Sequence, residues 1–236
     1  MRLGEVLGRP DLSRLLAELP GKELNFDPHA TGELRPEDGW RIDSYRKPLP
    51  GEAPGPPVPE GSWEAASSIV RDYEFPDPSI VRVFYRSGAP LAGRNMLLEA
   101  RFHGLHFYVG VRVVAVLDET REDEGRQARV WGWSYATLED HLEMGQMDYE
   151  VRKWLDTGEV EFRIHAFSRV AHIPNPIVRF GFRLFGRGQQ TRFARLACDR
   201  MARLTAARLD KARAARRFAE APRDARCGLL EGDPRP

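Results

Sequence analysis

Tyr135, Thr137 and His141 stand close together in WSYATLEDHLE, where an alternating run gives way to an acidic turn. A phenol and an imidazole at a strand end could serve as acid and base on an organic substrate. Glu139, Asp140 and Glu143 flank His141 in sequence, a setting expected to favour its charged, proton-donating form. The same residues have plainer uses: a tyrosine bonded to a backbone carbonyl, a threonine capping a turn, a histidine in a surface ion cluster. One histidine with neighbouring carboxylates lacks a second at usable spacing, so no metal is expected.

Two arginines raise a different chemistry. Arg200 falls inside the apolar arc of a long helical stretch, where an unpartnered guanidinium is costly. It must reach out to water, meet an acid, or anchor a carboxylate or phosphate. Arg169, at the end of an alternating run, carries the same alternatives. Trp131 and Trp133 share one strand face with Tyr135, as core or as the wall of a ligand space, opposite only Gly132, Ser134 and Ala136. For nucleophilic catalysis the sequence has no Gly-x-Ser-x-Gly elbow, and Gly181, Gly186 and Gly188 lack the context of a phosphate-binding loop. No catalytic residue is assigned, and no cofactor is expected.

The elements that must position these groups follow from periodicity. Asp11 caps a short helix, Leu12 to Leu19, ended by Pro20. Trp40 to Arg46 reads as a first strand, and Pro48 to Gly61, with six prolines, as an extended connector. Ser62 is expected to cap a helix running to about Tyr73. Strand signals then recur at Ile80 to Tyr85, Asn95 to Phe102 and Leu105 to Leu117, the last with Leu105, Phe107, Val109, Val111, Val113, Ala115 and Leu117 on one face. A charged turn, DETREDEGRQ, is expected to break the sheet. Three strands follow between Val130 and Arg169, with Met147, Tyr149, Val151, Val160, Phe162 and Ile164 facing inward. Ile173 to Gly188 reads as a glycine-broken segment. A long helix from about Gly188 to Ala221 places Phe193, Leu196, Ala197, Met201 and Leu204 on one side.

At 236 residues, with 42% hydrophobic and 30% charged residues, the chain fits a soluble globular protein. The expected division is an N-terminal extension with a short helix over 1–39, one domain over 40–221, and a disordered tail over 222–236. The longest nearly apolar run, Val109 to Leu117, is interrupted by Arg112 and far shorter than the ~20 residues a membrane helix needs. With no secretory pattern at the N-terminus and only Cys198 and Cys227, the expected location is cytoplasmic. Arg187 to Arg217 holds ten Lys or Arg against two acids. Its aromatics are too few for a base-stacking platform, so nucleic acid is not an expected partner. The oligomeric state is not legible.

Strand, helix, a run of antiparallel strands and a long C-terminal helix with an apolar stripe is the order of an α+β helix-grip protein. In that fold a curved antiparallel sheet wraps the helix, as in the START and pollen-allergen superfamily. The segments GWSYATLEDHLEMGQMDYEV, VEFRIHAFSRVA, PIVRFGFRLFG and RFARLA resemble the family catalogued as domain of unknown function 1990. The resemblance rests on Gly132, Trp133, Tyr135, Thr137, Leu138, His141, Glu143, Gly145, the Ala166 to Arg169 strand end, Pro176 and Arg179. Asp140 and Leu142 depart from its usual turn, where Gly and Pro are common. The resemblance implies no activity. The helix-grip order implies a mostly apolar cavity between sheet and helix. A hydrophobic small molecule or lipid is the expected partner, with Trp131, Trp133, Tyr135, His141, Arg169 and Arg200 as candidate ligand-binding residues. The alternatives are an enzyme of the same fold using Tyr135 and His141 on a polyketide- or steroid-like substrate, and an interaction protein using the basic helix.

Overall fold

A computed structural model describes the backbone of residues 10–27, 34–102, 105–171 and 176–220, and their side chains except those of 102, 176–187 and 220. The expected tail over 222–236, Cys227 and His103 lie outside the described residues.

Seven strands form one sheet in the order β1-β7-β6-β5-β4-β3-β2, every neighbouring pair antiparallel. They are β1 (Arg41–Leu49), β2 (Val81–Phe84), β3 (Asn95–Phe102), β4 (Leu105–Asp123), β5 (Arg126–Thr137), β6 (Glu143–Trp154) and β7 (Val160–Val170). Helix α1 (Leu12–Glu18) precedes the sheet, α2 (Ser62–Arg71) follows β1, and α3 (Pro176–Glu220) follows β7. Pro48 lies within β1, tolerated because β1 is an edge strand.

The two faces of the sheet have different covers. Against the inner face pack α2 and the middle of α3, burying Ala66, Ile69 and Val70 with Phe193, Ala197 and Met201. On the outer face, Leu12, Leu15 and Leu16 of α1 and the following Leu19 close over Leu97 and Leu138.

Four local expectations change. Ser62 is the first residue of α2 rather than its cap: Gly61 holds that place, and the Ser62 hydroxyl is buried without a hydrogen-bond partner. The charged turn does not break the sheet, because β4 and β5 stay paired out to Asp123 and Arg126, leaving only Glu124 and Gly125 as the turn. A register shift between Val113 and Ala115 ends the simple two-residue period of β4. Val116, not Ala115 or Leu117, therefore stands opposite Trp133. Finally, α3 begins at Pro176, twelve residues before the expected start and through three glycines. Proline suits a first helical turn, and packing can override the poor helix propensity of glycine.

Candidate functional site

The inner face is built from the end of α2 outward. Glu74 N donates to Ile69 O and Tyr73 N to Val70 O, a Schellman ending with Tyr73 in the left-handed region (φ 55°). That conformation usually belongs to glycine. Here it accompanies the burial of Tyr73 and Phe75 in the centre of the fold. Phe75 lies 4.7 Å from the ring of Tyr149 and 5.1 Å from that of Phe162, and Trp133 lies 5.3 Å from Tyr149. Trp133 Nε1 donates to Val70 O at 2.9 Å. Beside α2, then, aromatic side chains fill the space that the helix-grip order led us to expect as a cavity.

Three phenols meet at the edge of this packing. The Tyr73 and Tyr149 hydroxyls are 3.3 Å apart, and those of Tyr149 and Tyr135 approach the Met147 sulfur at 2.8 and 3.6 Å. Burial pushes all three phenol pKa values up, so the groups are neutral hydrogen-bond donors at ordinary pH. Thioether sulfur is a weak acceptor and leaves these donors poorly matched. On the far side of them the wall changes. Val81, Val83, Phe107 and Met147 pack against the core yet keep part of their surface accessible.

The expected site residues do not assemble into one group. Trp131, Trp133 and Tyr135 share the inner face, with the Arg71 guanidinium 4.7 Å from the Trp131 ring centre. His141 follows the β5 end in a turn where Asp140 adopts φ 65°. The expected charged form of His141 is overturned: burial pushes its pKa down to about 4, and its Nδ1 accepts from Glu143 N at 3.0 Å. It is neutral near pH 7, so the proton-donor role is lost. Asp140 instead pairs with Lys22 at 3.0 Å. Thr137 has its capping role, its Oγ1 accepting from Gly145 N at 2.9 Å.

Arg169 lies on the outer face, 5.0 Å from the Trp40 ring centre, with Nη1 donating to Asp38 O at 3.4 Å. Arg200 reaches out of the apolar arc and donates from Nε to Glu74 O at 2.9 Å. Arg208 and Arg216 likewise contact Glu74 and Glu60, so part of the basic helix is spent on binding α2 and the connector. Sequence reasoning put Met147 and Tyr149 inside but did not single them out. Helical spacing also put Tyr73 inward, with Trp63, Ala66 and Val70, as its burial agrees; Phe75 was beyond it, because the Schellman turn brings it under the sheet.

A second feature lies on the outer face. A cleft of about 280 Å³ is lined by residues of β1, β6 and β7, among them Ser44, Arg46, Asp148, Glu150, Arg163 and His165. Among the described residues no group of three or more His, Cys, Asp or Glu side chains could hold a metal ion.

An all-antiparallel seven-stranded sheet with a long C-terminal helix on its inner face defines an α+β helix-grip protein, as its element order implied. The chain belongs to the family described as "Domain of unknown function (DUF1990)", whose model matches residues 27–200. Among solved structures it is similar to that titled "Crystal structure of Ara h 8.0201", at 11% identity over 69% of this chain and 98% of the other, with a TM-score of 0.37. It is also similar to a Thalictrum flavum norcoclaurine synthase point mutant in complex with a transition-state analogue, at 8% identity over 70% and 94%, with a TM-score of 0.41. Neither likeness is close enough to carry an argument, and the fold rests on strand order and register. No curated protein matches the sequence. Among the described residues, no helix is long and apolar enough to cross a membrane.

Proposed function

We propose that this protein binds an apolar small molecule or a lipid against the part of the inner sheet face that lies beyond Tyr135 and Met147. One observation carries the reading. The inner face is filled by aromatic rings beside α2, whereas Val81, Val83, Phe107 and Met147 form an apolar wall that is only partly covered. Apolar side chains left in contact with water gain about 25 cal/mol for each Å² that a ligand covers. The phenols of Tyr135 and Tyr149 both reach the Met147 sulfur, and Tyr149 shares a 3.3 Å contact with the Tyr73 hydroxyl. A ligand oxygen would be a better acceptor, and a few placed donors in an apolar surround is the usual make-up of such sites. Of the residues expected from sequence, Tyr135 belongs to this reading most directly, with Trp131 and Trp133 as the packed floor behind it.

Native mass spectrometry and solvent extraction of the purified protein are expected to recover a co-purifying apolar compound. Met147→Trp, which adds bulk beside Tyr135, should reduce that recovery at least several-fold. Protein that carries no such compound, and that binds a fluorescent fatty acid no better than Met147→Trp does, would sink the reading.

A further inference from the structure

On the outer face, the pairing register sets a block of four side chains that local sequence does not reveal. Ser44 of β1 stands opposite His165 of β7, and Arg46 stands opposite Arg163. Two guanidiniums directly across an antiparallel pair repel one another, an arrangement that costs stability unless an anion lies between them. Arg152, on the next strand, adds to the crowding. Burial and the neighbouring Arg163, Arg121 and Arg46 charges bring its pKa down to about 10.

Anions are present, and the protein itself supplies them: Arg163 pairs through Nε with Glu161 and through Nη1 with Asp123 at 3.6 Å. Glu124 Oε1 accepts from Arg46 Nη2 at 2.5 Å and from Arg163 Nη2 at 3.3 Å, so one carboxylate oxygen bridges the pair. Glu124 comes from the tip of the β4–β5 hairpin, where it and Gly125 adopt φ 53° and 73°. Two-residue turns of this kind favour Asn-Gly or Gly-Gly, and a left-handed glutamate is unfavourable. The hairpin thus bears a strained residue whose carboxylate reaches the arginine pair. Beside it, the acids of the cleft are already engaged. Asp148 accepts from Gln146 at 2.7 Å and pairs with His165 Nδ1 at 3.1 Å. Glu150 is held by Arg121 and Arg152. What remains unengaged by these contacts is the Ser44 hydroxyl, the second nitrogen of His165 and the rest of the Arg46 fork.

We propose that the outer cleft is an oxyanion site, taking a small molecule that carries a phosphate or carboxylate, and that Glu124 occupies it as a displaceable internal stand-in. Ser44, Arg46, His165 and the Nη2 of Arg163 would hold the anion, with the Arg46 guanidinium as the planar fork suited to paired oxygens. The cleft volume of about 280 Å³ suits a small ligand rather than a polymer. This site is on the opposite face from the apolar one, so either proposal can fail without the other.

The test is a titration with inorganic phosphate, and separately with acetate, at matched ionic strength, followed through the amide resonances of β1 and β7. Phosphate or acetate should shift Ser44 and His165 in the native protein. Glu124→Gln, which removes the internal anion, should tighten binding about tenfold, and Arg46→Gln should weaken it by at least as much. A preference for phosphate over acetate would assign the tetrahedral anion, and the reverse the carboxylate. Absence of local shifts with either anion, or an affinity unchanged in both variants, overturns the proposal.

Discussion

Lys153 Nζ lies 2.7 Å from a carboxylate oxygen of Glu52 and 2.7 Å from Pro56 O, and the lysine side chain has no exposed surface. Glu52 also accepts from Val58 N at 3.0 Å and Trp63 N at 2.7 Å. The proline-rich connector is therefore wrapped around one buried ion pair, which fixes where α2 starts. Lys153→Met would leave the carboxylate buried without its cation, and we expect a loss of about 3–5 kcal/mol in urea unfolding. The double variant with Glu52→Gln should recover part of that loss. A single variant that unfolds at the wild-type midpoint would show that the pair does not anchor the connector.

Gly132 of β5 leaves no room for a side chain against β6. A Cβ built there would fall 2.2 Å from Tyr149 O and 3.0 Å from Glu150 Cα. Both are backbone atoms of a central strand and cannot turn aside. Gly132→Ala should therefore cost at least about 1–3 kcal/mol. Thermal unfolding measures it, and an unchanged melting temperature would refute so close an approach.

Phe75 has no exposed surface and touches Tyr73, Tyr149 and Phe162. Truncating such a ring removes its burial and leaves a cavity, a loss of about 3–5 kcal/mol. Phe75→Leu should keep more of the stability than Phe75→Ala. Equal losses in the two would mean that filling this volume is not what Phe75 does.

Two histidines should tilt stability with pH in opposite directions. His165 has its pKa raised, chiefly by the bond to Asp148, above the ordinary 6.5. Its contribution is full below 6.5 and fades as pH rises through the raised folded value. His141 has a folded pKa of about 4 against 6.5, because burial disfavours its charge. Its contribution is full above 6.5 and is lost as pH falls toward 4. Urea midpoints between pH 4 and 8 should show His165→Gln converging on wild type at the alkaline end. His141→Asn should show a shallower decline on the acid side. Curves parallel to wild type across that range would contradict both assignments.

Much of the fold was legible because its signals are local. Alternation in β6 and β7 put Met147, Tyr149, Phe162 and Ile164 inside, and a 3.6-residue stripe put Phe193, Ala197 and Met201 on one side of α3. The errors fell where local signals conflict with pairing. The acidic run at the end of β4 reads as a turn, yet its charges reach partners across the sheet, such as Arg121 with Glu150 two strands away on β6. Acidic neighbours in sequence suggested a charged His141, but sequence proximity is not spatial proximity, and burial decides its protonation.

The sequence by itself determined the order of elements, the family signature and, apart from β4 beyond its bulge, which residues along a strand share a face, since these follow from a two-residue or 3.6-residue period. Only the tertiary structure decided which residues meet. Register set Ser44 against His165 and Arg46 against Arg163. The turn after α2 brought Tyr73 and Phe75 against Tyr149. Each of these contacts joins residues more than 70 positions apart, and no short stretch of sequence carries them.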